Sequence, residues 1–83
     1  MARRQREFRE RVGARLRRRR ADAGLSQSEL ARRLPGRVEG SQVSRWERGE
    51  SFPTYANVKA LARALAVSEE QLLCGDVDVP PRR

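Results

Sequence analysis

Punctuation limits this chain more than anything else in it. Helix-start signals recur at Ser26 with Glu29 three residues on, at Thr54, and at Ser68 with Gln71 three residues on, and glycines stand at stop positions 24 and 49. A serine followed three residues later by Glu or Gln satisfies two otherwise unpaired N–H groups reciprocally, so each such box fixes where a helix begins. Between these marks the apolar residues fall three and four apart: Phe8, Val12, Leu16; Leu30, Ala31, Leu34; Val43, Trp46; Val58, Leu61, Ala62, Leu65. That is the period of one helical face. The expected fold is all-α, five short helices around a small core.

The faces carry further expectations. One more step of four beyond Leu16 lands on Arg20. A guanidinium on the core side is costly without a partner, so its stem should be packed and its head paired with a carboxylate. Gly13 sits inside helix 1 and weakens it slightly. Helix 2 should run from Ser26 to about Leu34 with Arg32 and Arg33 pointing away, and "PGRVEG" reads as a turn. Residues at 100° intervals in "SQVSRWERG" put Val43 and Trp46 on one side, Glu47 at its edge, and Ser41, Ser44, Arg45 and Arg48 opposite. The tryptophan anchors this third helix inward and leaves its far side free. Helix 4 should open at Thr54 and close at 66–67; helix 5 should follow Ser68 and carry Leu72 and Leu73.

Charge narrows the function. Of the net +8, all is held by residues 1–20, where ten arginines face only Glu7 and Glu10. Such a block points to a polyanion. With no histidine and one cysteine, Cys74, the chain lacks the makings of Cys/His zinc sites, Ser-His-Asp or Cys-His triads and internal disulfides. A non-enzyme without metal or cofactor is expected. No apolar run approaches a membrane span and no secretory pattern opens the chain, so a soluble cytoplasmic protein is expected.

The ordered series "LSQSELARRL", "SQVSRWERGESFP" and "VKALARALAVSEEQLL" resembles the Cro/CI-type helix-turn-helix family, also called the XRE family, over about residues 12–73. The resemblance implies a five-helix lambda-repressor-like DNA-binding domain, with helix 3 laid in the major groove. On this reading residues 1–7 form a basic N-terminal arm, 8–74 the helix-turn-helix domain and 75–83 a flexible tail. It also supplies the partner of Arg20, because Glu47 of "WERG" matches the acid that pairs with the helix 1 arginine in relatives. One departure stands out: two more residues than the family spacing lie between Leu34 and Glu47. Either Glu39 or Ser41 can then cap helix 3.

The resemblance implies a sequence-specific double-stranded-DNA-binding transcription regulator, a repressor acting as a homodimer in a bacterial or phage cytoplasm, at the nucleoid. An antitoxin with a protein partner, or a protein- or RNA-binding adaptor on the same scaffold, is the alternative. Base reading would fall to Ser41, Gln42, Ser44 and Arg45, since a guanidinium can bond guanine O6 and N7 and an amide can match adenine. Phosphates would fall to Gln27, Arg48, Ser51, Thr54, Tyr55, Asn57, Arg17 and Arg18. Arg3, Arg4 and Arg6 would form the arm, and Leu72 and Leu73 the self-contact.

Overall fold

The computed structural model describes residues 2–74 and places five helices among them: α1 (Ala2–Asp22), α2 (Gln27–Arg32), α3 (Gly40–Glu47), α4 (Tyr55–Leu65) and α5 (Glu69–Cys74). The expected tail, 75–83, lies outside the described residues.

Start signals act where the sequence places them. The Ser26 hydroxyl accepts from the Glu29 N–H at 3.0 Å while the Glu29 carboxylate accepts from the Ser26 N–H at 2.8 Å. Ser68 and Gln71 do the same at 2.9 and 2.8 Å, and Thr54 accepts from the Asn57 N–H at 3.2 Å. Stops are equally local. Gly24 and Gly49 adopt φ of +74° and +76°, and in each case two back-bonds close the helix, Gly24 to Ala21 with Leu25 to Arg20, and Gly49 to Trp46 with Glu50 to Arg45. α4 closes by the same pair of bonds, but with Ala66 at φ +59°, where glycine is usual. α2 ends at Arg32, two residues before the expected Leu34, yet Leu34 is still buried.

The N-terminus corrects an expectation. Residues 2–7 are not a separate arm: they are the first turns of α1, which at 1.5 Å per residue is roughly 31 Å long. The physical reason lies in the arginines that suggested an arm. Arg3 meets Glu7 at 3.8 Å and Arg6 meets Glu10 at 3.4 Å, both i,i+4 pairs, and the straight-chain residues there favour helix. Phe8 is a second correction. It stands one turn beyond the core, 39% exposed, and rests on the Phe52 ring at 5.8 Å between centroids.

The core gathers Leu16 of α1, Leu30 and Ala31 of α2, Leu34, Val43 and Trp46 of α3, Leu61 and Leu65 of α4, and Leu72 of α5. Leu72 is thereby withdrawn from any self-contact: only 1% of it reaches solvent, because α5 lies against α1 and α4 and points this leucine inward. Leu73 is half-buried. α5 is tied down by Arg15, whose Nε and Nη2 donate to the carbonyls of Leu72 and Leu73 at 3.0 and 2.5 Å. A cation at a helix C-terminus both satisfies free carbonyls and opposes the helix dipole.

Candidate nucleic-acid interface

The first requirement of a reading helix is that it sit in one orientation, and α3 is wedged between α1 and α2 at two glycines. A Cβ on Gly13 would stand 2.4 Å from the Trp46 carbonyl oxygen and 2.5 Å from that of Glu47; one on Gly40 would stand 3.2 Å from the Ser28 Cα. Backbone therefore meets backbone at both ends of α3, at Gly13 so closely that only glycine fits and at Gly40 closely enough that a side chain would press on Ser28. Val43 and Trp46, 5% exposed, point into the core between these contacts.

Glu39, not Ser41, precedes the first turn, with Gly40 and Ser41 inside the helix. The Gln42 side-chain Oε1 accepts from the Glu39 N–H at 3.3 Å. Residues 35–39 make the bend before α3, with Gly36 at φ +81°, and Gly40, the last residue of "PGRVEG", is the first of the helix.

The free edge follows from this seat. Ser41, Gln42 and Arg45 are exposed and Ser44 is half-buried. The Arg45 side chain forms no hydrogen bond or salt bridge among the described residues, and, behind the Arg48 hydrogen bond, its charge helps hold the Glu50 carboxyl below its ordinary value. It is the one cation among these four residues.

Behind the edge lies a partly buried charge network. The Arg20 Nε donates to Glu47 Oε2 at 2.5 Å, Nη2 donates to Oε1 at 3.1 Å, and Nη1 donates to the Leu25 carbonyl at 2.8 Å. Gln27 Nε2 adds a donation to Glu47 Oε1 at 2.9 Å. The side chains are 15% and 4% exposed, and the hydrogen bonds to Glu47 raise the Arg20 pKa above the usual guanidinium value against the opposing pull of burial. This network joins α1, α2 and α3 at one point.

Arg17, Arg20, Gln27, Ser44, Glu47 and Arg48 line one recess beside it. The structure thus brings together residues from three separate stretches of the sequence reading. Arg18 is exposed on α1 outside this recess. Arg48 does not stand free: it is bonded to Glu50 and to the Ser44 hydroxyl. At α4, Thr54 and Asn57 are joined through the cap, Ser51 is half-buried, and Tyr55 is 65% exposed rather than packed in the core. The neighbouring Glu69 carboxylate raises the Tyr55 pKa, and the Lys59 ammonium lies 5.4 Å from its ring centre. Arg3, Arg4 and Arg6 project from the first turns of α1.

Four contributors escaped the sequence reading. Gly13 left a signal, a helix-weakening residue kept inside a long helix. Gly40 left one less clear, being inside what reads as a turn. Arg15 and Glu50 left none, because each acts through a contact that only the folded chain creates.

The helix-turn-helix domain family model matches residues 11–73. The chain is 40% identical over 70 residues to the HTH-type transcriptional regulator DicA of Escherichia coli strain K12, covering 84% of this chain and 50% of DicA. It is 36% identical over 66 residues to Repressor protein C2 of Salmonella phage P22, covering 80% of this chain and 30% of that repressor. The chain therefore spans half or less of the length of these curated relatives. Among solved structures, the P22 c2 repressor in complex with synthetic operator 9T in the presence of Tl+ superimposes with a TM-score of 0.73 at 37% identity, over 78% of this chain and 96% of that one.

Proposed function

The chain belongs to the helix-turn-helix domain family, and from that premise we propose that it is a sequence-specific double-stranded-DNA-binding transcription regulator, a repressor acting as a homodimer on a two-fold operator. One observation carries the reading: α3 is locked by Val43 and Trp46 with Ser41, Gln42 and Arg45 exposed on its other side. The similar c2 repressor was solved with an operator bound, and DicA and Repressor protein C2 are named as a transcriptional regulator and a repressor.

In this reading α3 lies in the major groove, with Arg45 the candidate for guanine and Gln42 for adenine, while Ser41 and Ser44 make shorter contacts. Gln27, Arg48 and Arg17 serve the phosphate beside the recess, and Ser51, Thr54, Tyr55 and Asn57 serve the next along the strand. Arg18 adds a further phosphate contact from α1. Arg3, Arg4 and Arg6 act from the surface of α1, adding affinity for any sequence. Self-association falls to α5 around the half-buried Leu73, Leu72 being in the core. The protein works on bacterial or phage DNA in the cytoplasm, and no helix among the described residues is long and apolar enough to cross a membrane.

Selection from a random duplex library tests the reading. The expected result is enrichment of one motif with two-fold symmetry, its half-sites about one helical turn apart. Retention of all sequences alike, with only salt-dependent attraction, would favour an adaptor that uses the scaffold for other contacts.

A further inference from the structure

Arg48 caps the C-terminus of α3, and every nitrogen of its guanidinium is engaged. Nε and Nη2 donate side-on to the two carboxylate oxygens of Glu50 at 2.7 and 3.2 Å, and Nη1 donates to the Ser44 hydroxyl. Side-on, two-point contact is also how a guanidinium holds a phosphate. Glu50 therefore occupies the edge that a phosphate would need. The chain reversal at Gly49 puts it there: with φ at +76°, the Glu50 N–H returns to the Arg45 carbonyl at 3.0 Å. Gly49 is itself pressed against the backbone of Glu10, where a Cβ would stand 3.0 Å from the Glu10 Cα. The reversal is thus held from α1.

Charge in the recess follows from these pairs. Arg20 is neutralised by Glu47 and Arg48 by Glu50, which leaves Arg17 as the lining cation without an ion pair among the described residues. A recess placed to meet phosphate is largely cancelled from within. The two pairs differ in one respect that decides their roles. Arg20 and Glu47 expose only 15% and 4% of their side chains, whereas those of Arg48 and Glu50 are 55% and 53% exposed. An exposed pair adds little to stability and opens readily in water.

Resting on the DNA-binding reading above, we propose that Glu50 is an intramolecular stand-in for phosphate, which competes with the duplex for Arg48 and so holds down the affinity of the interface. Arg48 delivers its charge when it exchanges Glu50 for a backbone phosphate. The same exchange releases the Ser44 hydroxyl, so a phosphate contact and a base-reading candidate are uncovered together. Each partner stabilises the charged form of the other, chiefly through their hydrogen bond: the Arg48 pKa is raised and that of Glu50 lowered.

The test is a double-mutant cycle on the full chain, with Glu50→Gln, Arg48→Gln and both together. Dissociation constants are measured across salt concentrations on a random-sequence duplex and on one obtained by selection. Glu50→Gln alone is expected to bind about fivefold more tightly near about 0.1 M salt, with the log–log salt slope little changed, because Arg48 meets the same phosphate in both proteins. In the Arg48→Gln background the same change should yield less than half of that gain. Equal gains in both backgrounds, or no gain, with wild-type binding intact, would overturn the role of Glu50 and leave the DNA-binding reading standing. Wild-type protein that binds neither duplex overturns both.

Discussion

At the scale of single residues, the strongest statement concerns Arg20 and Glu47. The carboxylate is 4% exposed and accepts from Arg20 twice and from Gln27 once. Removing it leaves a guanidinium facing the core with one carbonyl for company. Glu47→Ala is expected to lower the unfolding free energy by about 3 kcal/mol, followed by denaturant titration of the single, buried Trp46. An effect under about 1 kcal/mol, the range of an exposed pair, would mean that the network is solvated in solution. This pair was legible in the sequence. The four-residue step placed Arg20 on the core side, helical angles placed Glu47 at the edge of its face, and the family resemblance joined them. Glu50 was not legible, because the turn at Gly49 that swings it beside Arg48 leaves no period to follow.

Elements are governed by their ends and their points of closest approach. Gly13 shows the second. Alanine is the better helix former by about 1 kcal/mol, so from propensity alone Gly13→Ala should stabilise α1. Contact with the Trp46 and Glu47 carbonyls reverses the sign: the methyl forces α1 and α3 apart, and a net loss of about 2 kcal/mol is expected by thermal or denaturant unfolding. Any gain in stability would contradict the close approach. Glu29 shows the first. The Ser26 N–H, its largest influence, holds the Glu29 pKa below the ordinary value. A depressed carboxylate stabilises the folded state at pH above its unfolded value and loses that contribution as pH falls through the folded one. Stability should thus decline on acidification through the carboxylate range, and Glu29→Gln should flatten part of that decline; parallel pH profiles for the two proteins would remove Glu29 from the account. Helix starts were readable because capping is local chemistry. The first turns of α1 were not, since the same arginines fit an arm or a helix and the Arg3–Glu7 and Arg6–Glu10 pairs decide between them.

For the whole molecule, the proposed function rests on one division: α3 gives its apolar side to the core and leaves its polar side for a duplex. The apolar side was legible from Val43 and Trp46, and the polar side from their complement. What the sequence left open was assembly. A leucine at a helix end looks alike whether it closes a monomer or joins two, and the packing of α5 on α1 and α4 assigns Leu72 to the first. The most direct measurement is a selection from a random duplex library with wild-type protein and with Arg45→Ala, alongside Arg3→Ala. Loss of Arg45 should relax preference at one position of each half-site, at a cost of about 1–3 kcal/mol there, whereas Arg3→Ala should weaken all sequences alike and leave the motif unchanged. An identical motif from wild-type and Arg45→Ala proteins would contradict the account.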